Sequence, residues 1–175
     1  KSVSNDLFSE VKWEDKGWDN IVDELCKSGI KRESILNDLH LFSKADNLGS
    51  LVVPQLSDTQ IQLLTAISDN LHQQSSQDAF LSIMTLSVRR ALKQAEYLSK
   101  RYHVLVANPP YMGSKGMNEE LRKFAQEKYS ISKPDLYAMF IERGIGLVVS
   151  KGSVAMITMQ SWMFLSSFMQ LRYKL

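Results

Sequence analysis

Cysteine and metal-binding patterns are nearly absent from this sequence of 175 residues. Cys26 is the only cysteine, which excludes an internal disulfide framework and is typical of a reducing, cytoplasmic location. The three histidines, His40, His72 and His103, are scattered along the chain. They lack the spacing of metal ligands, so the sequence predicts no metal site.

Long apolar runs and a strong excess of one charge are also missing. No apolar run approaches the roughly 20 residues that span a bilayer, so we expect no membrane contact. The 21 basic and 19 acidic residues leave a net charge of +2, which is too small to indicate nucleic-acid binding by itself. The fractions of hydrophobic residues (44%) and charged residues (23%) are those of a globular protein.

Residues 1–100 are predicted to be a mostly helical segment. Trp18, Ile21, Val22 and Leu25 recur at helical spacing, and Gly29 offers a stop. Further helices are predicted from near Lys31, from Ser57 or Asp58, and from about Asp78 to Lys100. The apolar residues of the last helix that are available for burial are Phe80, Ile83, Met84, Leu86, Leu92 and Leu98. Between them we expect a turn at 46–50, an extended run at 51–54 and a break at 75–77.

The pattern changes at residue 101, where a partial catalytic domain (101–175) is predicted. The run 103–107 is short, apolar and rich in β-branched residues, which predicts a buried parallel strand. Helices are predicted from Asn118 and from Pro134-Asp135 to about Val149, followed by a second buried strand at 153–158 and a last helix capped by Ser166 or Ser167. Strand, helix and strand in this order predict a parallel α/β unit.

One motif carries chemistry: Asn108-Pro109-Pro110-Tyr111 follows the first predicted strand. Ligands of open α/β sheets bind beyond the carboxyl ends of the strands. Two prolines could simply lead the chain out of the sheet, but a plain loop needs neither an amide before them nor an aromatic ring after them.

Transfer to an amino group would account for all four residues. The exocyclic amine of a base is a poor nucleophile, because its lone pair is delocalised into the ring. The side-chain oxygen of Asn108 and the carbonyl of Pro109 can accept its two hydrogens, and the proline rings fix the direction of that carbonyl. Tyr111 can stack on a base that has left the duplex.

These residues resemble a known family. The run 105–111 is similar to the signature of N6-adenine DNA methyltransferases, in which two apolar residues and a variable one precede Asn-Pro-Pro-aromatic. The resemblance implies a partial Rossmann-like sheet, S-adenosylmethionine as methyl donor and double-stranded DNA with a flipped adenine as substrate. The same four residues also occur in methyltransferases of RNA and of protein glutamine, so both substrates stay as alternatives.

More of the chain shares the resemblance. Residues 135–143 and 151–158 are similar to restriction-modification adenine methyltransferases. Residues 46–51, 111–118 and 159–168 resemble the PglX subfamily of BREX phage-defence systems. The resemblance is strong over 102–175 and weaker over 40–101. It implies a bacterial cytoplasmic enzyme whose partners include other proteins of the defence system.

Two further residues are candidates for substrate binding. Lys115, between Gly113 and Gly116, lies on a predicted flexible, positively charged loop that could hold DNA. Trp162 follows the second strand at the ligand edge, where it could form a wall of the base pocket, although burial alone would explain it equally well. A basic stretch (Arg89, Arg90, Lys93, Lys100 and Arg101) could face phosphates, but a solvated helix face is the favoured interpretation.

A donor site is not evident in the sequence. The family binds S-adenosylmethionine with a Gly-rich turn after a strand, whereas Gly144 and Gly146 form the closest glycine pair here and lie within a predicted helix, whose amides are already bonded. The chain also starts without methionine and stops inside a predicted helix. We therefore expect a fragment of a longer enzyme that binds no donor and is inactive alone. A non-catalytic piece that binds DNA or a partner protein is the remaining alternative.

Overall fold

The computed structural model describes residues 17–75 and 78–175. The chain divides into two compact units, a first that extends to Lys100 and a second from Arg101 to Leu175. Among the described helices, none is both long enough and apolar enough to cross a membrane.

The first unit is helical, as predicted. Its helices are α1 (Gly17–Cys26), α2 (Arg32–Ser43), α3 (Ala45–Leu48), α4 (Asp58–Gln74) and α5 (Ala79–Ser99). Ser57 caps α4 with a capping box, in which its side chain accepts from the Gln60 amide and the Gln60 side chain accepts from the Ser57 amide. Asp78 caps α5 by accepting from the amides of Phe80 and Leu81. Local capping chemistry therefore sets where the two long helices begin.

Two expectations for this unit need correction. The predicted turn at 46–50 is the short helix α3 followed by a 3-10 turn, Gly49–Leu51. Phe80 and Ile83 are exposed, because α5 buries the face of Met84, Val88, Leu92 and Ala95 instead. The predicted break at 75–77 lies partly outside the described residues.

The second unit contains a parallel pair of strands, as predicted. Its elements are β1 (Tyr102–Ala107), α6 (Glu119–Lys128), α7 (Leu136–Leu147), β2 (Val148–Met156), α8 (Ser161–Phe164), a 3-10 turn (Ser166–Phe168) and α9 (Met169–Lys174). Asn118 and Asp135 cap α6 and α7, and each accepts from an amide two or three residues ahead. The predicted cap by Ser166 or Ser167 is wrong, because no side-chain cap is present there.

The second strand begins earlier than predicted. Helix α7 passes directly into β2 at Val148, which pairs with Tyr102, whereas the next pairing joins Val104 to Ser153. The extra residues form an irregular bulge in which Lys151 has a positive φ of 66°. At Gly152 an added Cβ would lie 2.9 Å from the Cβ of Val148, so the bulge requires a residue without a side chain.

The expected burial of β1 on both faces is wrong. Val104 and Val106 are 63% and 76% exposed, whereas Leu105 and Ala107, on the other face, are partly covered. Helix α7 packs on that covered face, and Gly144 permits its close approach to Met156. An apolar strand is buried on both faces only where a layer covers each face. The described residues of this unit supply one such layer.

Candidate active site

The Asn108-Pro109-Pro110-Tyr111 loop leaves the carboxyl end of β1, as the sequence predicted. Asn108 and Pro110 are exposed, and Pro109 is buried. The amide of Ile157 donates to the carbonyl of Ala107 at 3.3 Å, so the pairing of the two strands continues up to the residue before Asn108. The loop therefore starts from a fixed backbone position and presents the Asn108 amide to solvent.

Tyr111 is held at its two ends while remaining accessible. Its hydroxyl donates to the carbonyl of Ile157 at 2.8 Å. Its ring meets the ring of Tyr137 edge to face, with centroids 5.9 Å apart and an interplanar angle of 75°. The side chain is 48% exposed, which leaves room for an aromatic ligand to contact it.

The segment after Tyr111 is tied to the start of α7. The Met112 amide donates to the Asp135 carboxylate at 3.1 Å, and the same oxygen accepts from the Tyr137 amide. The Leu136 amide donates to the Met112 carbonyl at 2.9 Å. A single carboxylate thus caps α7 and fixes the exit of the loop. The sequence indicated Pro134-Asp135 only as the start of a helix, and no sequence signal pointed to this role of the Asp135 side chain.

Tyr137 and Trp162 make contacts that support the candidate site. Tyr137 is fully buried, and its hydroxyl shares a hydrogen bond of 2.8 Å with the Ser161 hydroxyl. Trp162 donates through its indole nitrogen to Thr158 at 3.1 Å and packs against the core cluster that contains Tyr137 and Phe168. These contacts favour burial as the reason for Trp162, and its role as a wall of the base pocket stays a prediction.

Lys115 lies in a different part of the loop, on a groove of about 560 Å³. The Ser114 amide of this loop donates to the Pro134 carbonyl at 3.0 Å, and the flexibility of the loop stays a prediction. Arg122 and Lys133 line the same groove. Sequence reasoning missed both residues, because they are separated along the chain and converge only after folding.

Two cations of the basic stretch, Arg89 and Lys100, form ion pairs with acidic side chains. Arg89 pairs with Asp69, and Lys100 pairs with Glu96 at 2.6 Å. The pairs lie on partly exposed surface, where such pairs contribute little to stability. These contacts support the favoured interpretation of a solvated helix face.

A buried polar cluster lies beneath α7. Burial raises the pKa of Tyr129 to about 12, and the neighbouring Arg143 cation opposes this shift. Burial also lowers the pKa of Arg143 from its ordinary value. Glu142 accepts from Ser132 at 2.5 Å and from Lys174 at 2.7 Å. This cluster joins α7 to its flanking segments.

The residues that the structure describes do not fit a donor cradle. Gly144 and Gly146 lie within α7, as predicted, where their amides belong to the helix. A Cβ on Gly144 would lie 2.6 Å from the terminal methyl of Met156, so this glycine serves close packing of the helix on the sheet. No group of three or more His, Cys, Asp or Glu side chains among the described residues could hold a metal ion.

Comparisons with known proteins identify the class. The family model of the Eco57I restriction-modification methylases matches residues 23–175, and the chain belongs to this family. It is 37% identical over 145 residues to the adenine-specific methyltransferase BrxX of Escherichia coli O9:H4 (strain HS), which is 79% of this chain. It is 35% identical over 157 residues to the adenine-specific methyltransferase PglX of Lacticaseibacillus casei (strain Zhang), or 89% of this chain. The chain spans only 11% and 12% of these two relatives.

Proposed function

We propose that the complete gene product containing this chain transfers a methyl group to the N6 amine of adenine in double-stranded DNA. The system it serves would be restriction-modification or phage defence, in the bacterial cytoplasm and with other defence proteins as partners. The observation that carries the proposal is the placement of Asn108-Pro109-Pro110-Tyr111 at the carboxyl end of β1, with Tyr111 held and accessible. Membership of the methylase family and the adenine-specific relatives support it.

Within this proposal each residue of the loop has a separate role. The exposed amide of Asn108 accepts one hydrogen of the adenine amine through its side-chain oxygen, and the carbonyl of Pro109 accepts the other. Both acceptors favour a tetrahedral nitrogen with a free lone pair. Pro110 limits rotation of the backbone. Tyr111 stacks on the adenine after it has left the duplex.

The two strands and α7 would then form part of a Rossmann-like sheet, residues 101–175 would be the partial catalytic domain, and residues 1–100 the helical segment. S-adenosylmethionine supplies the methyl group when it is bound. Because the described residues hold no fitting cradle for it, we assign its binding to other residues of the gene product. The roles derived for this chain end at binding and orienting the base.

The test is methyl transfer by the complete gene product from a labelled donor to three substrates: double-stranded DNA, RNA and a glutamine-bearing protein. We expect label in DNA, at the N6 atom of adenine. Asn108→Ala should lower the rate by roughly 100-fold or more, the usual loss when one such polar contact to the reacting group is removed.

Asn37→Ala is the matched control, because Asn37 is an exposed asparagine of α2 in the other unit. It should methylate at the normal rate. A normal rate for Asn108→Ala would contradict the assigned role of Asn108. Label in RNA or glutamine, and not in DNA, would assign the chain to one of the alternative substrates. DNA binding with no transfer to any substrate would favour a non-catalytic role.

A further inference from the structure

A basic groove lies beside the catalytic loop, and the proposed base-binding role does not use it. It is lined by Ser114, Lys115, Met117, Arg122, Ala125, Gln126, Lys133 and Pro134. Three of these side chains are cationic and none is acidic. The acidic residues of α6, which are Glu119, Glu120 and Glu127, lie outside the lining.

The groove is built by contacts among its walls. The Arg122 guanidinium donates to the carbonyls of Ser114, at 3.3 Å, and Met117, at 2.9 Å. The Ser114 amide donates to the Pro134 carbonyl, next to Lys133. The loop, α6 and the segment before α7 are therefore joined, and their cations share one concave surface.

The floor of the groove is apolar and buried. Met117 and Ala125 are buried at its base, and Asn118 caps α6 at the same end by accepting from the Leu121 amide at 2.9 Å. Hydrogen bonds between the walls hold the backbones that carry these cations, which lowers the cost of bringing the cations together on binding. Such an arrangement suits an anion that several cations contact together.

The groove is also close enough to the reacting base to contact the same DNA strand. Lys115 follows Tyr111 by four residues, so their Cα atoms lie within about 14 Å of each other. A DNA strand advances about 3.4 Å per nucleotide along the helix axis. The groove thus lies within about four nucleotides of the base that Tyr111 would contact.

We propose that Lys115, Arg122 and Lys133 bind backbone phosphates of the DNA strand that carries the target base. Phosphate contacts fix the position and register of a protein on DNA without reading the sequence. The groove would then set how far the target nucleotide lies from Asn108. This inference rests on the proposed function, because the position of the DNA strand follows from binding of its target base at Tyr111.

The test compares two double variants of the complete gene product that lose the same charge. Lys115→Gln with Lys133→Gln removes two cations of the groove. Lys123→Gln with Lys128→Gln removes two exposed lysines of α6 that do not line it. Arg122 is kept, because its bonds to the loop carbonyls would confuse loss of charge with loss of structure. Circular dichroism confirms that both variants are folded.

The measurement is the affinity for a 20-base-pair duplex as a function of salt concentration. For the groove variant we expect the slope of log affinity against log salt to fall by about 1 to 2, since each phosphate contact contributes about 0.9. That change corresponds to a loss of roughly 10- to 100-fold at 0.1 M salt, which shrinks toward 1 M. The α6 control should keep the wild-type slope.

Equal slopes in wild type and the groove variant would overturn the inference, and so would equal losses in the two variants, which would indicate only a general effect of charge. An unchanged slope is also the result expected if another protein segment covers the groove. Failure of the proposed function is recognised separately, as absence of methyl transfer by the wild type, because the binding measurement requires no transfer.

Discussion

At the residue scale, Tyr111 combines two anchors with an accessible ring. Its hydroxyl bond to the Ile157 carbonyl and its contact with Tyr137 limit its orientations before any base arrives. A preorganised ring loses little side-chain entropy when a base stacks on it. In the proposed function the hydroxyl orients the side chain, whereas the ring stacks on the base. Two substitutions can therefore separate their contributions.

We expect Tyr111→Phe to keep kcat/KM for DNA within a few fold, because a single exposed hydrogen bond contributes about 0.5–1.5 kcal/mol. Tyr111→Ala should lower kcat/KM by roughly 10- to 100-fold, because base–aromatic stacking contributes about 1–3 kcal/mol. Steady-state methylation by the complete gene product measures both values. Equal losses in the two variants would argue against stacking, and would indicate that the hydroxyl bond alone matters.

Tyr129 provides a prediction about pH at the same scale. Its pKa of about 12 in the folded chain exceeds its ordinary value of 10.0, so folding favours the neutral phenol. The corresponding stability is fully present below pH 10 and is lost as pH rises from 10 to 12, by about 2–3 kcal/mol.

Urea unfolding of the second unit at pH 9 and at pH 11.5 should show this loss for the wild type, and Tyr129→Phe should show a smaller one. A spectrophotometric titration supplies an independent measurement, since one phenol should ionise near pH 12 in the wild type and be missing in the variant. Wild-type and variant titration curves that coincide above pH 11 would contradict the assignment.

At the element scale, the bulge of β2 depends on Gly152. A Cβ there would lie 2.9 Å from the Val149 carbonyl oxygen and 3.1 Å from the His103 carbonyl oxygen. We expect Gly152→Ala to lower the free energy of unfolding by about 1–3 kcal/mol, as overpacking does, and to shift the urea midpoint accordingly.

Gly146→Ala is the matched control for this substitution. Its Cβ would meet only guanidinium nitrogens, at 3.9 and 4.0 Å, and alanine is the better helix former by about 0.5–1 kcal/mol. The control should therefore be neutral or more stable than the wild type. If both variants lost the same stability, the steric explanation for Gly152 would be wrong.

Some features of the helices and strands could be predicted from the sequence, and others could not. The caps at Ser57 and Asn118 were predictable, because a cap depends on a few consecutive residues. The exposure of Val104 and Val106 was not, because an apolar strand does not itself show how many layers will cover it. The start of β2 was missed because Lys151-Gly152 is a typical turn signal, and here it forms a bulge within a strand.

The candidate site also has residues that could be predicted from the sequence and residues that could not. The Asn108–Tyr111 loop was visible as a contiguous motif placed after a strand. The groove cations Arg122 and Lys133 were not, since they approach Lys115 only when α6 and the segment before α7 fold against the loop. Pro134-Asp135 was recognised as the start of a helix, but the bond from the Met112 amide to Asp135 is a tertiary contact.

At the scale of the whole molecule, the proposed function assigns base binding to this chain and donor binding to other residues of the gene product. The described glycines that lie close in sequence, Gly144 and Gly146, serve helix packing. The chain covers 11–12% of its relatives' length, so the proposed enzyme has room elsewhere for a donor site. Base orientation and donor binding should then respond independently to changes in this chain.

We therefore expect isothermal titration calorimetry to detect S-adenosylmethionine binding to the complete gene product and none to residues 1–175 alone. Asn108→Ala in the complete gene product should leave the donor Kd unchanged within about twofold while it abolishes most methyl transfer, because its side chain is assigned to the base amine. Micromolar donor affinity in residues 1–175 would show that a donor site lies within this chain after all. A large change in donor Kd on Asn108→Ala would place that side chain at the donor as well as at the base.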